Sequence, residues 1–371
     1  MRKILNVKAK AFMPVHVGGG EDHKLDPLDY VVKGDWFYRI NISNMLKFDK
    51  TFSDLFVKTV EDRFAIGRLR RIIADAFNPE NRDMWVHRAK VSASFKKAYI
   101  ENLDDLKINN QLLVQCFPLT GNRAYLPGSS IKGAIRTAVL DSIANEKGNR
   151  KVLAEAEQRC RGPKDRKGDH VEKILLGYEK VQQDPFKGIK LSDAVLPPDS
   201  TMIVKVVNCG KDAIGKNKIG EGVPMFVEAI TEKTEFEFRL ITDDILLSDG
   251  NNIKPDANWI LQTCSDYYIC AFSSEEADFY KIGTAASDLI QDLIYEVLDD
   301  KDDKKKGISV LRVGRFSHLE SMTYSHRPAN NEDDIKKFLC QPKGGNGKWG
   351  TTRNLVDGKI PMGGIVLYYP E

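Results

Sequence analysis

The stretch KILNVKAKAFMPVHVGGG, residues 3–20, opens the chain and decides how the rest is read. Val7, Ala9, Ala11 and Met13 fall on one side of a period-two pattern, with Lys8, Lys10 and Phe12 on the other. Such alternation marks a half-buried strand, and it predicts one over residues 3–17. Gly18, Gly19 and Gly20 then break the run, and a second short strand is expected near 29–32. The far end of the chain, IPMGGIVLYY at 360–369, reads as a strand carrying its own glycine pair, Gly363 and Gly364.

Working inward, residues 45–77 place Phe52, Leu55, Phe56 and Val60, then Ile66, Leu69, Ile72 and Ile73, at helical spacing. Residues 109–118 read as a strand and 129–145 as a helix with one apolar face. Strand composition returns at 188–195, 201–208, 223–230 and 234–242, and in the last Phe236, Phe238 and Leu240 alternate with Glu235, Glu237 and Arg239. Helices are expected over 257–271 and 275–299, and a strand over 308–313. The pattern is α+β. It divides into domains over 1–187, with a helical insertion at about 45–108, and 188–371.

Composition narrows the function classes. With 371 residues, 42% hydrophobic and 29% charged, the chain can bury a core and is not a disordered polymer. No apolar run reaches the roughly 20 residues of a membrane helix, and the first residues lack a signal-peptide core. The six cysteines form no CxxC pair, which argues against a disulfide scaffold or zinc knuckle and fits a reducing cytoplasm. The net charge of +3 hides an asymmetry. Residues 1–220 carry 39 basic against 27 acidic side chains, 221–303 carry 5 against 20, and 304–371 carry 12 against 6. A polyanion on one face and a protein neighbour on another would account for it, with part of the acidic block facing solvent or protein neighbours instead of RNA. Chance clustering on solvated helix faces is the plainer alternative.

The sharpest local feature is LPGSSIKGAIR, residues 126–136. Pro127-Gly128 breaks the chain, Ser129 or Ser130 is a natural N-cap, and Lys132 and Arg136 share one helix face beside Gly133. Two cations at the positive pole of a helix call for an anion there, and a phosphate would fit. A nucleotide P-loop does not, because it needs lysine after its last glycine and a Ser or Thr next. In LRVGRFSHLESMTY, residues 311–324, Gly314 predicts a turn that would make Arg315 a second anion contact, with Arg312 and His318 nearby. His16, beside the glycine run, is the best candidate for an acid–base residue. The carboxylates near the loop lack metal-ligand spacing, so no metal or cofactor is expected.

The PGSSIKGAIR helix start, the Pro14-x-His16-x-Gly18-Gly19-Gly20 loop and the Gly363-Gly364 pair together resemble the RAMP superfamily of CRISPR proteins. The order of the segments VPMFVEAI, TEFEFRL, LRVGRFSHLESMTY and IPMGGIVLYY is similar to that of the type III-A (Csm) subunit that caps the crRNA 3′ end. The resemblance implies two ferredoxin-like (RRM-like) β-α-β cores with inserted helices. It implies crRNA contacts through the glycine loops and the basic helix, at His16, Gly18, Gly19, Gly20, Gly128, Ser129, Ser130, Lys132, Gly133, Arg136, Gly363 and Gly364, to which the Gly314 turn adds Arg315. The partners implied are crRNA, the backbone and small subunits of the complex, and host nucleases in crRNA trimming, with no membrane. The role implied is non-catalytic; the alternative is a crRNA-processing endoribonuclease using His16. No RNP1 aromatic signature is present, so sequence-tolerant backbone recognition is expected instead of bases stacked on a sheet face.

Overall fold

The computed structural model describes residues 2–20, 23–60, 66–105, 107, 112–146, 167–210, 224–243, 253, 256–298, 306–318, 320–322 and 352–370. The basic loop expected at 159–168 and the charged run at 298–307 lie mostly outside the described residues. In chain order the strands are β1 (Arg2–Ala11), β2 (Lys24–Leu25), β3 (Tyr30–Lys33), β4 (Trp36–Ile40), β5 (Trp85–Val91), β6 (Val114–Gln115), β7 (Leu119–Thr120) and β8 (Arg123–Leu126). They continue with β9 (Ile189–Leu191), β10 (Ala194–Val195), β11 (Thr201–Gly210), β12 (Met225–Ile230), β13 (Glu235–Asp243), β14 (Lys306–Arg312), β15 (Thr352–Val356) and β16 (Gly364–Pro370). The helices are α1 (Ile42–Phe48), α2 (Lys50–Val60), α3 (Ile66–Ala76), α4 (Ala93–Asn102), α5 (Gly128–Asn145), α6 (Lys167–Leu176), α7 (Ala257–Phe279) and α8 (Ala285–Leu298).

The fold is α+β. One sheet runs β14-β16-β1-β13-β9, a second runs β2-β6-β12-β11-β5-β4-β3 with β15 added on β11, and a small third runs β10-β8-β7. Val7, Ala9 and Ala11 of β1 and Phe236, Phe238 and Leu240 of β13 point into a core closed by α5, α7 and α8. On the wet side the register sets Lys8 opposite Glu237 and Lys10 opposite Glu235, a favourable cross-strand pattern. Lys10 also reaches Glu296 at 3.1 Å, and Arg2 reaches Asp243 at 3.0 Å. Part of the charge asymmetry is therefore satisfied inside the molecule, basic N-terminal strand against acidic block.

The strand expected over 3–17 ends at Ala11, because the chain there leaves one sheet for the other. Phe12 and Met13 both donate to Gly364 O at 3.0 Å, and Val15 exchanges hydrogen bonds with Ile230 of β12. The expected helical insertion contains α1 to α4 but also β5, which sits between β4 and β11. Its sequence, WVHRAKV, has the aromatic and β-branched residues of a strand. The helix break expected at 272–274 falls at 280–284 instead: Ser273 and Ser274 stay helical, and the Tyr280 N–H closes the end on Glu276 O at 2.9 Å. Each main sheet takes strands from both sides of residue 187, so the boundary expected there does not separate the sheets. Among the described residues no helix is long and apolar enough to cross a membrane.

Candidate nucleic-acid interface

Helix α5 buries the face the sequence marks, with Ile131, Ala134, Ile135, Ala138, Val139 and Ile143 all in the core. Its start differs from expectation. Pro127 is the N-cap and neither serine caps; the Gly128 N–H donates to the Asp193 carboxylate at 2.8 Å. A Cβ at Gly128 would lie 2.7 Å from Leu191 O, so glycine is required for the close packing of backbones. Lys132 Nζ donates to Phe186 O and Ile189 O, each at 2.7 Å. Arg136 donates to Glu172 at 2.7 Å and to Asp184 at 3.0 Å, and its guanidinium stacks 4.7 Å from the Phe186 ring. The negative groups that the electrostatics demand are thus Asp193, Glu172 and Asp184 of the protein itself. This corrects the sequence argument for a phosphate held by Lys132 and Arg136. Ser129 and Gly133 alone of the expected contacts here are exposed.

The glycine loop is assembled from distant segments. Gly363 N–H donates to Pro14 O at 2.9 Å, Val313 N–H to Gly363 O at 2.8 Å, and Arg315 N–H to His16 O at 2.9 Å. Gly363 and Gly364 are buried in this lacing, which corrects the expectation that their N–H groups meet a phosphate. Gly18, Gly19 and Gly20 are exposed, and so is Arg315, whose guanidinium donates to Gln115 Oε1. Gln115 is in turn the register partner of Lys24. An open glycine backbone and an exposed guanidinium therefore meet on one surface, an arrangement suited to sugar–phosphate contacts.

His16 lies beneath that surface with 1% of its area exposed. Its Nδ1–H donates to Glu228 O at 2.6 Å, and its ring packs between Phe117 and Phe316 at centroid distances of 6.0 and 5.8 Å. Burial pulls its pKa down to about 4, the Glu228 carbonyl offsetting only part of the effect. This corrects the expectation that the His16 side chain touches RNA or acts as a base on a bound strand. Arg312 is likewise interior, and His318 is partly buried beside it. Arg312 is paired with Glu275, and burial, reinforced by Arg312, pulls His318 down to about 3.

Glu228, which sequence reasoning passed over as one acid among many, ties the region together. It is fully buried; His87 Nε2 lies 2.7 Å from one carboxylate oxygen, Thr201 Oγ1 donates to the same oxygen at 2.6 Å, and the Phe117 N–H donates to the other at 3.0 Å. Burial pushes its carboxyl up, but His87 and these hydrogen bonds outweigh that and hold it below its ordinary value. The one signal available was a lone acid within the otherwise apolar run MFVEAI, a strand buried on both faces.

The two desolvated imidazoles, His16 and His318, carry a pH consequence. Their folded-state pKa values are lowered, so the unfolded chain binds more protons between pH 6.5 and about 3–4. The stability they confer is whole above pH 6.5 and is lost as pH falls through that window. Urea melts across pH 4–6.5 are expected to give a stability slope that His16→Gln flattens by up to about 1.4 kcal/mol per pH unit. An unchanged slope would mean the imidazole titrates as if exposed.

A family model described as the RAMP superfamily matches residues 8–317. The chain belongs to the RAMP superfamily. A curated protein of Methanocaldococcus jannaschii, the CRISPR system Cms protein Csm5, is 26% identical over 191 residues, covering 52% of this chain and 43% of that protein. The match thus spans less than half the length of that relative. Among solved structures, a chain of the cryo-EM structure of a Csm–crRNA–target RNA ternary complex from a type III-A CRISPR-Cas system superposes with a TM-score of 0.67 at 19% identity, covering 98% of this chain and 100% of that one. The crystal structure of T. onnurineus Csm5 gives 0.64 at 17% identity, over 97% and 99%. At these identities the likeness is one of fold.

Proposed function

We propose that the chain is a non-catalytic crRNA-binding subunit of a type III-A (Csm) CRISPR effector complex. In this reading it sits at the 3′ side of the crRNA, supports assembly and 3′-end maturation in antiviral defence, and keeps two ferredoxin-like cores within its interlocked sheets. The observation that carries the reading is the meeting of the exposed Gly18–Gly20 backbone with exposed Arg315, brought there from opposite ends of the chain. Backbone N–H groups and one guanidinium recognise phosphates without reading bases, which suits a subunit serving crRNAs of different sequence. The resemblance to Csm5 and to a chain of a Csm complex supports the same assignment. The burial of His16 favours a binding role over the endoribonuclease alternative. On α8, exposed Asp288, Asp292, Tyr295 and Leu298 form an acidic, partly apolar face suited to the backbone or small subunits of the complex and repelled by RNA.

Fluorescence anisotropy with labelled single-stranded RNA at several salt concentrations tests this. Arg315→Ala is expected to weaken binding several-fold, to a similar extent for unrelated sequences, and to lower the salt slope by about 0.7. RNA cutting by the purified chain, or binding unaffected by the substitution, would contradict the assignment.

A further inference from the structure

On the other side of Glu228 from the glycine loop, the second sheet opens at the start of β5 into a groove of about 450 Å³ lined by Arg82, Trp85, His87, Arg88, Arg123 and Asp199. Its wall is a ladder of guanidinium and indole groups. Arg82 lies 3.4 Å from the centre of the Trp85 ring, and Arg88 lies 4.4 Å from that of Trp36 and 5.8 Å from that of Trp85. Among the described residues the groove has one carboxylate, Asp199, and the fork of Arg88 takes it at 2.8 and 2.5 Å. Arg82 and Arg123 are both exposed on the rim. Arg123 donates one N–H to Leu196 O at 3.0 Å, which aims the guanidinium without neutralising it.

Three guanidiniums against one carboxylate already engaged ask for an anion, and aromatic and guanidinium faces in the same groove ask for a flat π-system. Single-stranded nucleic acid offers both along its length, and the groove's volume is in the range that takes a single unstacked residue. The floor is rigidly tied to the glycine loop: His87 holds the Glu228 side chain, and the Glu228 carbonyl holds His16. A strand leaving Gly18–Gly20 therefore has a second positive surface on the same scaffold.

We propose that this groove binds an unpaired stretch of RNA, stacking a base on the arginine–tryptophan ladder and taking phosphates on Arg82 and Arg123. The proposal rests on the RNA-binding reading above and adds a contact region that the sequence does not announce.

The test uses the full chain, a fluorescein-labelled single-stranded RNA of about 20 nucleotides, and the double variant Arg82→Gln/Arg123→Gln. Binding is expected to weaken about tenfold, with the salt slope lowered by about 1.4 because two phosphates of a single strand are no longer neutralised. A 4-thiouridine RNA is expected to crosslink to the wild-type peptide containing residues 82–88, which decides the matter even where the variant folds poorly. Wild-type binding with an unaffected variant and crosslinks confined to the glycine loop would overturn the groove and leave the RNA reading standing. A wild-type chain that binds no RNA overturns both. A variant that keeps RNA binding but loses co-purifying protein subunits would assign the groove to a protein partner and also overturn the proposal.

Discussion

Replacing Glu275 with alanine is expected to destabilise the protein by about 3–5 kcal/mol, the cost of leaving buried cations without their counterion. Glu275, Arg312 and Arg353 are 4%, 2% and 3% exposed. The carboxylate accepts from both terminal nitrogens of Arg312, lies 3.3 Å from Arg353 Nε, and receives the Tyr280 hydroxyl at 2.7 Å. Arg312 also donates to Met362 O at 3.2 Å, so the cluster joins α7 to β14, to β15 and to the segment before β16. Burial alone would raise the Glu275 pKa, but Arg312 leads the groups that hold it at about 2. With the folded value depressed below 4.5, the stabilisation is present above pH 4.5 and is lost as pH falls toward 2. Guanidinium melts followed by tryptophan fluorescence check the magnitude. A loss under about 1 kcal/mol would mean that water reaches the guanidiniums. Glu275→Gln, which keeps the shape and hydrogen-bonding oxygen but not the charge, is expected to lose less than alanine.

The second large effect is expected at Gly314. Its φ of +104° is strained for any residue with a Cβ, and an added Cβ would sit 2.3 Å from His16 O. Backbone would meet backbone, so no side-chain rotation relieves the clash. Gly314→Ala is expected to cost about 2–3 kcal/mol or more and to break the Arg315 N–H to His16 O bond. Arg315 would then leave the glycine loop, and RNA affinity is expected to fall further than in Arg315→Ala. Wild-type stability together with wild-type RNA affinity in this variant would show that the crossing of residues 14–16 with 313–315 does not position the loop.

Much of the local structure is legible in the sequence because it depends on neighbours along the chain. The 235–240 alternation, the buried face of α5 and the interruption at Gly18–Gly20 all have periods or breaks visible within a few residues. β5 was less legible, since four helices surround it in sequence and its place between β4 and β11 depends on strands from elsewhere. The positive start of α5 shows in the sequence as a demand for negative charge. Its suppliers were hidden: Asp193, Glu172 and Asp184 lie in three separate segments. A charge count over 221–303 likewise cannot tell surface acids from Glu228 and Glu275, which are fully or almost fully buried.

The amino-acid sequence by itself determined the α+β class, the faces that go inward, the two glycine segments and the family resemblance that the matching model bears out. Each of these follows from residue type and short-range spacing, which survive without knowledge of distance in space. Only the tertiary structure decided which charges remain for a ligand, because a Coulombic or hydrogen-bonding partner is chosen by proximity of a few ångströms, whatever the separation in sequence. By that criterion Lys132, Arg136 and Arg312 turned inward, and Arg315, Arg82 and Arg123 were left facing out.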